Sequence, residues 1–366
     1  MSMNLFGEGC YICRTNPIRG IRMKRRFSTL PGWLLMLAIA LFSTLLSEQI
    51  VIGTRHPLES VTIAIVVGLL LRNFSPLPAF FDPGLSKYEN ALKLGIVFLG
   101  IGLSFFAVLE IGAKAITVVV LCLLVAPLLF LFIGRKAGLG EKMNILIGIG
   151  TTICGSTAIA ITAPLIEADR DDVSYAIGTI SLFGIAAMLL LPMIARGLGL
   201  SDSLFGLWAG TAIHATPQVV AAGYMYGEVA GQVSTVAKLT RNIFMIPAAF
   251  LIDLWYMKKK KAKNPSRKTG YARAVPLFLF GFLALAIIRS AGDGTSVIAP
   301  AQWNWIVKNL NELGKFLVLV AMAGIGLNTR LKNMRQIGPR PFLVGLVASI
   351  LLATISLSLI FALHIS

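Results

Sequence analysis

Gly148-Ile-Gly-Thr-Thr-Ile-Cys-Gly-Ser-Thr-Ala-Ile159 lies in the middle of an oily segment running from Asn144 to Ile166. Three glycines (Gly148, Gly150, Gly155) and four hydroxyl residues (Thr151, Thr152, Ser156, Thr157) stand where a membrane helix would carry Leu, Ile and Val. The glycines weaken a helix and the hydroxyls bring polar groups into hydrocarbon. Two readings account for this. Either the helix breaks and its backbone lines a protected cavity, or small residues let two helices pack closely.

Working outward, the 366 residues are 56% hydrophobic and 13% charged, and runs long enough to cross a bilayer recur throughout. Mean hydropathy is +0.81. This composition predicts an all-α polytopic membrane protein that partners the lipid bilayer. The net charge of +17 lies in short connections between oily runs. Membrane topology explains that placement, which excludes nucleic acid as its cause. Cys10 and Cys13 form a lone CxxC, and Cys122 and Cys154 lie inside oily runs, so neither pair predicts a metal site. Residues 1–31 read as a basic cytoplasmic arm, and Trp33–Val51 as a retained first span, because it lacks a small-residue cleavage site.

Residues 32–366 form the transmembrane domain. The hydropathy pattern predicts about eleven spans. They fall near Trp33–Val51, Leu58–Arg72, Glu89–Ala107, Ile116–Ile133, Asn144–Ile166, Ser174–Ala195, Leu204–Tyr226, Val233–Met257, Val275–Ile288, Trp305–Leu327 and Phe342–His364. With the N-terminus inside, every even-numbered link is basic, above all residues 258–273, whereas Glu167–Asp172 is acidic and falls outside. The C-terminus is then external. Setting the first span aside leaves two inverted repeats of five, residues 57–196 and 203–364. Gly148-Ile-Gly in the fifth span has a counterpart, Gly324-Ile-Gly, in the tenth, which predicts broken helices at both places and brings in Asn328. Two echoes complicate that pairing: Gly100-Ile-Gly-Leu103 in the third span, and Gly210-Thr-Ala-Ile213 in the seventh.

The seventh span carries Thr211, His214, Thr216, Pro217 and Gln218, with His214 near mid-depth. An intramembrane His marks a proton path or an anion contact; the alternative is a neutral His bonded between helices. In the eighth span Lys238 and Arg241, three apart, share a helix face. They either snorkel to the interface or meet an anion, since spans five, seven and ten carry no Asp or Glu near mid-depth. No Walker motif is present, and His56, His214 and His364 are too scattered for a metal site. The chain reads as neither an enzyme nor a cofactor protein.

Gly150–Ile159, Gly210–His214 with Gln218–Gly223, and Lys238-Leu-Thr-Arg241 resemble the proposed sulfate exporter family of bacterial inner-membrane proteins over roughly residues 30–364. Family members often have an acidic residue directly after the His, where this chain has Ala215. The resemblance implies kinship with cation/proton antiporters and bile-acid symporters, whose folds contain inverted repeats with broken helices. The expectation is a secondary transporter of a small anion, sulfate or an organosulfonate, probed by Thr151, Thr152, Gly155, Ser156, Thr157, Thr211, His214, Gln218, Lys238, Arg241 and Asn328. A proton or sodium ion would couple transport, and a homo-oligomer is compatible. A cation/proton antiporter and a membrane enzyme or assembly protein are the alternatives.

Overall fold

The computed structural model describes residues 29–49, 60–75, 77–260, 277–294, 299–330 and 338–363. The basic arm with Cys10 and Cys13, His56, His364 and most of the 258–273 link lie outside them. Among the described residues every regular element is helical. Six helical stretches are long and apolar enough to cross a membrane by length and composition.

The order is α1 (Leu30–Gln49), α2 (Ser60–Phe74), α3 (Tyr88–Leu99), α4 (Phe105–Lys136), α5 (Glu141–Thr152), α6 (Ser156–Leu165) and α7 (Arg170–Gly197). Then follow α8 (Asp202–Ala212), α9 (Thr216–Tyr226), α10 (Glu228–Ile243), α11 (Met245–Lys260), α12 (Leu277–Asp293), α13 (Pro300–Asn328) and α14 (Pro339–Ala362). Large apolar side chains such as Leu124, Leu128, Phe132, Met193 and Leu251 are exposed on the outside, as a lipid-facing belt requires. By contrast, α5 is buried continuously from Asn144 to Thr152 and α8 from Phe205 to Ala212. Helices buried all round sit at the centre of a bundle.

The centre is built from two helical hairpins, which corrects the expectation that the fifth and seventh runs cross the membrane. In the first, α5 stops at Thr152 and α6 returns from Ser156. Lys142 at the start of α5 donates to the Glu167 carbonyl just past α6 at 2.6 Å, so both ends lie together. The turn is made possible by Gly155 at φ +72°, whose N–H donates to the Gly150 carbonyl at 2.9 Å. In the second hairpin α8 stops at Ala212 and α9 returns from Thr216. Its base is closed by Phe205 stacked on Tyr226 at 4.2 Å and by the Tyr226 hydroxyl donating to the Leu200 carbonyl at 2.5 Å.

Helix α7 connects the base of one hairpin to the base of the other, so the hairpins enter from opposite ends of the bundle. Their tips meet beside its middle. Ile180 lies against Gly150 and Gly155, and Gln218 against Gly184. The base of the first hairpin shares a cluster with Ala168, Val173 and Tyr256 near the end of α11. The acidic stretch 167–172 and the end of α11 therefore lie at the same end, against the sequence-based expectation of opposite faces. The base of the second hairpin and Arg196 lie at the other end, where the Arg196 guanidinium donates to the Met225 carbonyl at 3.1 Å.

The expected break at Gly324-Ile-Gly326 does not occur: α13 runs unbroken through it. These glycines serve close packing instead. A Cβ on Gly326 would lie 2.4 Å from the Ile65 carbonyl oxygen of α2, and one on Gly324 would lie 2.3 Å from Tyr88 of α3. The small-residue reading thus applies to α13, and the broken-helix reading to α5–α6.

Candidate functional site

The two hairpin tips match at three of four positions, with Thr152 in one where the other has Ala212. Gly150-Thr-Thr-Ile153 ends the inbound helix of one, and Gly210-Thr-Ala-Ile213 ends the inbound helix of the other. Each ends with carbonyls that have no helical donor left. Lys238 and Arg241, on the inner face of α10, supply the donors. The Lys238 ammonium donates to the carbonyls of Ile153 at 2.8 Å and Ile213 at 3.0 Å, and to that of His214. The Arg241 guanidinium donates to Thr152 at 2.6 Å, Thr211 at 2.9 Å and Ile213 at 3.0 Å, and to Thr151. Lys238 is 0% and Arg241 2% exposed. Neither snorkels, and neither has a carboxylate partner among the described residues.

Both outbound helices begin at the tips, so their first-turn N–H groups and positive dipole ends also converge there. They face a cavity of about 610 Å³. Ser156, Thr157, Thr216 and Gln218 line it from the tips, Ser181 from α7, and Asn242 from α10. The opposite wall is Tyr88 and Lys93 of α3 and Asn328 and Arg330 at the end of α13. Tyr88, Leu277 and Arg330 all stand at the end of the bundle that holds the first hairpin's base, so the cavity opens toward that end. Its wall charges are paired: Lys93 with Glu89 at 3.0 Å, and Arg330 with Asp82 at 2.9 Å.

Of the residues expected from sequence, Ser156, Thr157, Gln218 and Asn328 line this cavity. Gln218 is also structural, since its Oε1 accepts from the Ala215 N–H at 3.1 Å and its Nε2 donates to the Ser181 carbonyl at 3.3 Å. The Asn328 amide donates to the Leu85 and Gly324 carbonyls at 2.9 and 2.7 Å. The others lie behind the tips. Thr152 donates its hydroxyl to the Gly148 carbonyl at 2.8 Å, and the Thr151 hydroxyl is buried. Thr211 shares a 2.5 Å hydrogen bond with Ser356 of α14. His214 is 1% exposed and its Nε2 lies 3.0 Å from the Ser349 hydroxyl. Gly155 shapes the turn. Lys238 and Arg241 reach the cavity only through the carbonyls that they hold.

Sequence reading missed Tyr88, Glu89, Lys93, Ser181, Asn242 and Arg330 on the cavity wall, and took Thr216 only as a companion of His214. Asn242 follows Arg241 directly and faces Thr216, its amide donating to the Thr216 hydroxyl at 3.3 Å. That adjacency was a usable signal. The α3 and α13 residues come from span ends, where polar residues are expected anyway and carry no signal.

Two helical hairpins that meet tip to tip within a bundle belted by apolar side chains define a multi-pass integral membrane protein. The chain belongs to the family described as Conserved hypothetical protein 698, whose profile matches residues 31–345. A UPF0324 membrane protein of Clostridium tetani is 32% identical over 305 residues, covering 80% of this chain and 86% of the relative. One from Bradyrhizobium diazoefficiens is 31% identical, covering 92% and 94%. One from Nitratidesulfovibrio vulgaris is 28% identical, covering 90% and 92%.

Proposed function

We propose that the protein is a secondary transporter of a small anion, with sulfate or an organosulfonate as cargo and export as its direction. One observation carries this reading: two helix N-termini converge on a cavity that Ser156, Thr157, Thr216 and Gln218 line, while the matching C-termini are neutralised by Lys238 and Arg241. Each helix end contributes roughly half a charge, positive at N-termini and negative at C-termini, so the four ends cancel. The two side-chain cations remain. That balance suits a dianion such as sulfate better than a zwitterion such as taurine. Ser156, Thr157, Thr216 and Gln218 would contact the anion, with Asn328 opposite. Lys238 and Arg241 are positioning residues in this proposal, and His214 has no contact with the substrate.

The positive-inside rule makes the end that holds the first hairpin's base cytoplasmic, because Arg72, Lys87, Arg135, Lys136, Lys258 and Arg330 gather there. The N-terminus is then inside, the C-terminus outside and the cavity open to the cytoplasm, as loading for export requires. The matched tips support an inverted arrangement whose equivalent units are the two hairpins. A cation/proton antiporter would need a carboxylate at the tips; the carboxylate lining the cavity, Glu89, stands on the opposite wall and is paired with Lys93. Flux of radiolabelled sulfate and taurine in proteoliposomes, with and without a pH gradient, tests the reading. Saturable sulfate flux is expected; robust cation exchange with no anion flux would overturn it.

A further inference from the structure

Where helix C-termini and unwound carbonyls converge at mid-membrane, transporters commonly bind a sodium ion. In this protein that place is already filled. The carbonyls of Ile153 and Ile213, one from each tip, both lie within 3.0 Å of the Lys238 ammonium nitrogen. Those of Thr152, Thr211 and Ile213 lie within 3.0 Å of Arg241 nitrogens. Among the described residues no cluster of His, Cys, Asp or Glu could hold a metal ion instead.

We propose that Lys238 and Arg241 are tethered cations occupying the place of a coupling metal ion between the hairpin tips, so that the anion binds without co-bound sodium. Both side chains spring from one face of α10, a helix whose residues 233–242 are all buried. Their position is fixed by packing and does not depend on the ion content of either compartment. A sodium ion entering the same carbonyls would have to displace an ammonium or guanidinium that is covalently held at high effective concentration. The anion half of the proposal rests on the transport reading above; the cation half rests on the tip geometry alone.

The test uses the full-length protein purified in detergent. Thermal unfolding is measured first, without sulfate, in sodium gluconate and in choline gluconate of equal ionic strength. Equal unfolding temperatures are expected, and a marked stabilisation by sodium over choline would overturn the proposal. Lys238→Ala should unfold at lower temperature and regain part of the loss in methylammonium, which replaces the missing ammonium but not its tether. If Lys238→Ala cannot be purified, the wild-type comparison still decides. Sulfate binding is then measured in both salts. An affinity unchanged to within about twofold is expected, and a drop of more than about tenfold without sodium would overturn the proposal. A protein that unfolds identically in both salts but binds no sulfate refutes the transport reading and leaves the tethered cations standing.

Discussion

Three residues decide the site at the residue scale. Lys238 and Arg241 were legible as mid-membrane cations without a carboxylate, but their partners were not, because backbone carbonyls leave no mark in a sequence. The snorkelling reading and the direct anion contact both give way to a third arrangement, in which the cations staple two helix breaks together. Neutralising them is therefore a structural change. Arg241→Gln should cost on the order of 3–5 kcal/mol, since it strips donors from several buried carbonyls at once. Arg241→Lys should recover only part of this, because one ammonium cannot span the Thr152 and Thr211 carbonyls as the planar fork does. Thermal unfolding of the purified variants checks both, and wild-type stability in Arg241→Gln would contradict the staple. Gly155 is the third. Its φ of +72° and ψ of −131° disfavour any side chain, and a Cβ would lie 3.3 Å from that of Ala215 on the other tip. Gly155→Ala should destabilise by ~1–3 kcal/mol and disturb the contact between hairpins.

At the scale of elements, Gly148–Ile159 announced a break, and α5 and α6 are separated there. It did not announce a reversal, since a broken crossing helix and a re-entrant hairpin spend the same residues at the same depth. The better counterpart is Gly210-Thr-Ala-Ile213, although crossing spans five and seven would run in one direction and so could not be inverted copies. Once each returns on itself, α7 carries the chain across between them and the inbound helices α5 and α8 enter from opposite ends. Gly324-Ile-Gly326 was misleading for a related reason: glycine pairs in membrane helices serve breaks and close contacts alike. Gly326→Ala should overpack the seam between α2 and α13, where Gly68 and Gly326 face each other, at a cost of ~1–3 kcal/mol. A neutral result in thermal unfolding would mean that the seam yields easily.

At the scale of the whole molecule, the helical membrane class was legible from composition alone, and the side-to-side path of the chain was not. Counting every oily run as a crossing overlooked that two of them turn back as hairpins. It misplaced the stretch between the hairpins. Single cysteines at Asp171 and Lys258 should react with an impermeant thiol reagent from the same side, and one at Ser201 from the opposite side. Asp171 labelling from the side opposite Lys258, with Ser201 on the Lys258 side, would restore two crossing spans and remove the hairpins. The central claim is that the outbound ends of both hairpins bind an oxyanion in the cavity. Its most direct measurement is the labelling rate of Ser156→Cys and Thr216→Cys by a small water-soluble thiol reagent, in a Cys154→Ala background, with and without sulfate. The account predicts that both label and that sulfate slows both, whereas chloride of equal ionic strength slows neither. Labelling at unchanged rates in saturating sulfate, or complete inertness of both positions, would contradict it.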